Sequence, residues 1–313
     1  MTSLTRNRRT LIVAGLAFLA LAPGCATDGG SSSAVDDATT FEALGSATRA
    51  DDSIGKYLSD LSTSMNAWMQ KTMNATTKRE RSKQGLLEIN IRERVRRRQS
   101  DILLELETGP IKNRTIAAAA IGFCQDPAVL SPLLAALGDG NDKVVSNALL
   151  GLTVLGLPET PLEEISELII YAEEPKTRWS ASNCARSLIE AGAPGEPVLS
   201  AARAGLTDVL EPMVRTQCAL ILARMEDAGS IDALSLLLFD EAPIVASSAA
   251  RSLCYIGRRV DTARGAAARA LVTAMAESNR ERRLLIHPSL VELAGRNHEF
   301  DMEAWSRWVA RLP

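Results

Sequence analysis

The sequence predicts an all-α protein: an α-solenoid of about five to six helical hairpins, with a helical cap at its N-terminal end. Three observations carry this. A two-helix pattern recurs, with intervals of 31, 33, 37 and 31 residues between equivalent positions. Each first helix carries a small residue at one fixed slot: Ala117, Ala148, Ala181, Cys218 and Ala249. Aromatic residues make up only 4 % of the chain while Ala and Leu dominate, which suits stacked helices better than sheets.

The N-terminus reads as an address rather than as fold. Arg6, Arg8 and Arg9 precede an apolar run over residues 11–22, too short to span a bilayer, which takes about 20 residues. Residues 1–24 are therefore expected to be a secretory signal peptide. The ending Leu21-Ala22-Pro23-Gly24-Cys25 resembles a bacterial lipobox, which implies a lipid on Cys25. Ordinary cleavage after Gly24, with Ala22 and Gly24 as the small residues, is the rival reading. In the lipoprotein pattern, Ala26 beside the Cys implies the outer membrane, facing the periplasm. Residues 25–52 are rich in Ser, Thr, Ala, Gly and Asp and read as a disordered linker. Without the three arginines the net charge of −3 becomes −6, which argues against general nucleic-acid binding.

Residues 53–107 read as amphipathic and basic helices. Ile54, Tyr57, Leu58, Leu61, Met65, Trp68, Met69 and Met73 fall at i, i+3, i+4 spacing, so one face is apolar. The next segment, residues 78–98, holds nine Lys or Arg against Glu80, Glu88 and Glu93. Its arginines Arg92, Arg94, Arg96, Arg97 and Arg98 form a candidate basic patch for anionic lipid or an acidic partner; a solvated face on a capping helix is the plainer alternative.

The repeats occupy residues 108–296. The most regular unit is NDKVVSNALLGLTVLGLPETPLEEISELII, residues 141–170. Asn141 is expected to cap the first helix, and Gly156 to end it in a left-handed conformation. Thr160, Pro161 and Glu163 have the spacing of a capping box for the second helix. Elsewhere Ser131, Ser230 and Thr262 are the expected second-helix caps. Two slots matter further. The slot after the first apolar one holds Arg114, Val145, Arg178, Arg215 and Ala246, and these arginines are expected to bridge neighbouring repeats through acidic or carbonyl partners. The small slot has a packing reason: helices must approach closely there, and bulk would wedge the stack apart.

Stretches such as NDKVVSNALLGLTVLG, MVRTQCALILARMED and IVASSAARSLCYIG resemble the HEAT-like repeat of bacterial proteins, of the phycobilisome-lyase type, also described as armadillo-like helical. The resemblance implies a fold and leaves function open. The tail over residues 297–313, with Trp305 and Trp308 three apart, is similar to the closing helix of some such proteins and is expected to cap the last layer.

The chemistry of a catalytic site is missing. With only His287 and His298 in the chain, the His-Glu ligand sets of HEAT-type di-iron enzymes are not present, and the cysteines lack zinc spacing. Neither His shares a repeat position with a Cys, so a thiol nucleophile has no base. Cys124, Cys184, Cys218 and Cys254 are expected to be buried free thiols, although export leaves disulfides open. No catalytic residue, metal or cofactor is assigned. The expected function is a non-catalytic, membrane-tethered interaction scaffold of the cell envelope, binding an unknown protein or peptide in a groove lined by the second helices. Glu163, Glu164 and Glu167 at one end, and Arg264 and Arg269 at the other, are the candidate partner-binding residues. An assembly factor contacting anionic lipid is the alternative, and a lyase-like accessory subunit is a further one.

Overall fold

The computed structural model describes residues 53–208 and 211–313. The expected signal peptide, Cys25 and the linker to residue 52 lie outside the described residues. Those described form fifteen α-helices and no strand. The chain is an all-α solenoid.

Three helices open it: α1 (Ile54–Asn74), α2 (Lys78–Arg97) and α3 (Gln99–Thr108). Six first helices follow: α4 (Ile111–Ile121), α6 (Asp142–Leu155), α8 (Pro175–Ala191), α10 (Pro212–Arg224), α12 (Pro243–Arg259) and α14 (Arg280–Ala294). Between them lie the second helices α5 (Leu130–Ala135), α7 (Glu163–Tyr171), α9 (Leu199–Gly205), α11 (Ile231–Leu237) and α13 (Arg264–Glu277). A last helix, α15 (Met302–Val309), packs on α13.

The amphipathic α1 lies beside α4 and runs in the same sense. Its start, at Gly55, is near Asn113, and Trp68 farther along meets Phe123 edge-on at 5.1 Å between ring centres. It thus extends the layer of first helices by one and shields the apolar face that α4 would otherwise expose. At the far end Trp305 is fully buried, and its indole N–H donates to the Glu299 carbonyl at 2.9 Å. Trp305 and Trp308 meet edge-on, so the tail closes the last layer as its spacing implies.

The small-residue slot faces the second helices. Ala117, Ala148, Ala181, Cys218 and Ala249 are all completely buried. At Cys218 the reason is visible: a Cβ on Gly205 of α9 would sit 2.4 Å from its Sγ. Neighbouring first helices also come very close. A Cβ on Gly122 would lie 2.1 Å from the Gly151 carbonyl oxygen, and one on Gly151 would lie 2.3 Å from that of Ala118. Only a pair of glycines lets these backbones touch.

The arginine slot does bridge repeats. Arg114 grips Asp139, Arg178 grips Asp208 and Arg215 grips Asp240, each Nε–O distance being 2.8 Å. The same guanidinium groups donate backwards to the preceding inter-repeat turn, at the carbonyls of Gly109, Ala172 and Asp208. Each aspartate also accepts a backbone N–H just ahead of the next first helix, from Asn141, Glu211 and Ala242. One arginine therefore clamps two successive turns and sets the angle between hairpins. Val145 and Ala246, both buried, stand where the clamp is missing.

Helix starts differ in part from the sequence expectation. Asn141 caps α6 through Lys143 N–H, and Gly156 ends it at φ +61°. Thr160 does not cap α7. Its hydroxyl turns back to the Leu157 carbonyl, and the helix starts three residues later with Leu162 as its N-cap. Ser131 and Thr262 do not cap second helices either, and Ser230 takes the N-cap position of α11 but turns its hydroxyl to the Asp227 carboxylate. Those helices are entered through 3₁₀ turns at Pro127–Val129, Ala228–Ser230 and Asp261–Ala263, each preceded or begun by an aspartate. A short 3₁₀ turn uses up the backbone donors that a cap would otherwise have to satisfy. The one complete capping box among the described helices is Thr77–Glu80, at the start of α2.

Which layer is inside the curve follows from burial. Eleven of the fourteen residues of α6 are buried, and twelve of the seventeen in α8. In α7 only Ile165 and Ile169 are buried, and in α11 only Ile231 and Leu234. Successive first helices pack along their length at every step. Among second helices only α7 with α9, and α11 with α13, pack against each other to any extent, and each pair meets over less than half as much as any two neighbouring first helices. In a curved stack the inner layer is compressed and the outer layer fans apart, so the first helices line the concave face. The sequence expectation placed a groove on the second helices; the closer packing of the first helices points to their outward side instead.

Candidate functional site: the concave groove

The groove surface is the side of each first helix that points away from its second helix. In α6 it carries Asn147, Leu150 and Val154; in α8, Ser180, Asn183, Ser187 and Glu190. In α10 it carries Gln217, Leu220 and Arg224; in α12, Ser248, Arg251, Tyr255 and Arg258. Burial changes along this side: Gln217 is 2 % exposed and Ser187 is 4 %, while Arg224, Arg251 and Arg258 are exposed. The helix spacing repeats these positions about every 10 Å along the groove floor.

The floor of the middle section is polar, and only partly satisfied. Arg186 of α8 is buried and donates from Nε to Gln217 Oε1 at 2.7 Å and from Nη1 to Glu190 Oε1 at 2.6 Å. The hydroxyls of Ser180 and Ser187 and the second oxygen of Glu190 are buried without a hydrogen-bond partner. Enclosed polar atoms without partners cost stability.

Toward the C-terminal end the groove widens into a cavity of about 640 Å³. It is lined from α8 to α14, beginning at Glu190 and ending at Glu292. Its wall is cationic. Arg224 donates to the Tyr255 hydroxyl at 2.9 Å, Arg258 pairs with Glu292, and Arg259 pairs with Glu226 at 2.8 Å. Arg251 is exposed, lines the cavity and has no ion pair or hydrogen bond among the described residues. Cys254 lies at the base of this wall, where burial and then the nearby Glu292 push its thiol up to about 11. A thiol held protonated at neutral pH is no nucleophile. Burial likewise pushes Cys184 and Cys218 up to about 12. All four described cysteines are free and buried. No cluster of three or more metal-ligating side chains occurs among the described residues, and no described helix is long and apolar enough to cross a membrane.

The candidate partner-binding residues are not brought together. Glu163, Glu164 and Glu167 are exposed on α7, in the outer layer. Arg264 is half-buried and donates to the Leu293 carbonyl at 3.0 Å. Arg269 lines an outer notch of about 370 Å³ between α11 and α13, beside Leu236 and Phe239. Two second helices, α9 and α11, separate the acidic set from the basic one.

The candidate basic patch is largely used within the molecule. Arg94 lies over the Tyr57 ring and donates to Ser64, Arg98 also lies over that ring and pairs with Asp101, and Arg92 pairs with Glu88. Arg96 donates to the Cys124 carbonyl at 2.8 Å. These contacts tie α2 to α1 and to the end of α4. Arg97 alone of the five is exposed with no such contact. Sequence reading did not single out these residues because it placed the groove on the second helices. The signal was there: their outward slots hold Asn147, Asn183 and Gln217 where a solvated face would carry Lys or Glu.

No family model and no curated protein matches the chain. Among solved structures, an engineered protein aligns at 16 % identity and a TM-score of 0.43, covering 78 % of this chain and 97 % of that one. The complex of CpcE and CpcF of phycocyanin lyase from Nostoc sp. PCC7120 aligns at 16 % identity and a TM-score of 0.42, covering 68 % of this chain and 93 % of that one. The architecture described above rests on the helix packing itself and borrows nothing from either.

Proposed function

We propose that this chain is a non-catalytic, membrane-tethered protein–protein interaction scaffold of the bacterial cell envelope, and that it binds its partner in the concave groove. The observation that carries this reading is the cavity of about 640 Å³ along the outward sides of α8 to α14, walled by Arg224, Arg251 and Arg258. The cysteines support a non-catalytic role, since burial keeps their thiols protonated. The tether would be the lipid on Cys25.

The test is site-specific photo-cross-linking in cells. A photoreactive residue at Leu220, in the groove, should give discrete adducts with one or a few proteins, while one at Glu167, on the outer layer, should not. Equal labelling from both positions, or none from any groove position, overturns the groove. Cys25→Ala should release the protein from the membrane fraction; full retention there overturns the tether.

A further inference from the structure

We infer that the partner segment is an extended peptide carrying a short acidic motif, with its carboxylates on Arg251 and the neighbouring arginines of the C-terminal half of the groove. This rests on the scaffold reading above and adds the chemistry of what is bound. Three features of the cavity lead to it.

The first is charge. Arg224, Arg251, Arg258 and Arg259 face one cavity, and of these Arg251 has no partner. Its planar fork is free to take a carboxylate through two N–H groups, which is the stronger form of such a contact. The partners of the others are a phenol and carboxylates on the rim: Tyr255 for Arg224, Glu292 for Arg258 and Glu226 for Arg259. Exposed pairs of this kind are weak and exchange readily for an incoming anion.

The second is extent. The arginines sit on α10 and α12 and are bracketed by Glu190 on α8 and Glu292 on α14. The cationic stretch is therefore about one helix spacing long, roughly 10 Å. An extended chain advances about 3.3 Å per residue, so acidic residues at i and i+2 or i+3 span it. A long polyanion such as a nucleic acid would run its phosphates past both glutamates, and is disfavoured.

The third is the apolar part of the lining. Leu220 and Ala223 on α10 face the cavity beside the arginines. A peptide would thus rest on Leu220 and set its acidic motif on the arginines of α10 and α12.

The experiment is selection of random peptides displayed on phage against the purified full chain, followed by fluorescence anisotropy of the enriched peptide. The expected result is enrichment of two acidic residues at i, i+2 or i, i+3. Arg251→Glu should weaken binding by about tenfold or more, with the loss largest at low salt. Since Arg251 has no partner, this variant should melt with the parent protein. Arg269→Glu, on the outer layer, should bind within about twofold of the parent. Enriched peptides without acidic residues that still cross-link from Leu220 overturn the charge assignment and leave the scaffold reading standing. No enrichment together with no cross-link from the groove overturns both. Equal loss in Arg251→Glu and Arg269→Glu, or displacement of the peptide by a single-stranded oligothymidine at equal concentration, overturns the acidic-peptide assignment.

Discussion

Arg215 holds Asp240 with two N–H groups, Nε at 2.8 Å and Nη2 at 2.9 Å, while its remaining nitrogen donates to the Asp208 carbonyl one turn back. Both side chains are largely enclosed, at 14 % and 8 % exposure. Asp240 also accepts the Ala242 N–H ahead of α12. Removing Arg215 leaves a nearly buried carboxylate and a turn carbonyl without their main donor. Arg215→Ala should destabilise the protein by about 2–3 kcal/mol, read as a lower denaturant midpoint. Arg215→Lys should recover little, because an ammonium cannot form the two-pronged contact and reach the carbonyl as well. Full recovery by Lys would show that charge alone matters at this clamp.

Gly156 and Gly151 give a matched pair of substitutions with different physics. Gly156 sits at φ +61° with nothing nearer to a new Cβ than 3.7 Å, so Ala there meets only backbone strain. The expected cost is about 1 kcal/mol. Gly151→Ala drives a methyl to within 2.3 Å of the Ala118 carbonyl oxygen. Backbone must move, and the two helices must separate. Overpacking of this kind costs about 1–3 kcal/mol, and at a backbone contact it should fall at the top of that range. Thermal melts of the two variants should rank Gly151→Ala clearly below Gly156→Ala; the reverse order would mean that α4 and α6 slide apart freely.

The start of α2 should be sensitive to acid. The Glu80 carboxylate accepts hydrogen bonds from the Thr77 backbone N–H, the Thr77 hydroxyl and the Thr76 backbone N–H, which hold its pKa at about 2 against an ordinary 4.5. A carboxyl with a depressed folded-state pKa favours the ordered cap above its unfolded value and loses that contribution as pH falls through the folded one. The window is therefore pH 4.5 down to 2. Relative to the intrinsic rate, which itself slows in acid, the protection of the Thr76 and Thr77 amides should fall through that window while the repeat core stays protected, and Glu80→Gln should flatten the response. Protection at these two amides that does not change with pH would show that the cap carries no such linkage.

Much of this fold was legible because its main rules are periodic. The small slot and the arginine slot each recur at the repeat interval, and each has a visible contact in the structure. Two things were not legible. Entry into the second helices depends on 3₁₀ turns, and Thr160 looks like a cap by spacing until its hydroxyl is seen turned to Leu157. The side of the curve on which each layer lies is a property of the whole stack, since both helices of one hairpin are amphipathic. Glu163 and Arg264 were singled out as groove residues for that reason, and α2 was read as a basic surface because sequence does not show Arg94 and Arg98 lying over Tyr57.

The polar network under the groove separates stability from binding. Arg186 is buried and is the donor to both Glu190 and Gln217. Replacing it with Met keeps the volume and removes the charge, so Glu190 stays in a largely enclosed site with neither oxygen paired. Breaking a buried pair from one side typically costs about 3–5 kcal/mol, and the partial exposure of Glu190 should place Arg186→Met near the lower figure. The double variant Arg186→Met with Glu190→Gln removes both charges, and should regain at least half of the loss, because the uncompensated carboxylate and not the missing arginine carries most of the cost. Denaturant melts of the two single variants and the double test this directly. If the double variant is as unstable as the sum of the singles, the two groups do not act as a pair. If it is restored in stability but cross-links less from Leu220, the network is kept for the groove surface it presents, at some expense to the fold.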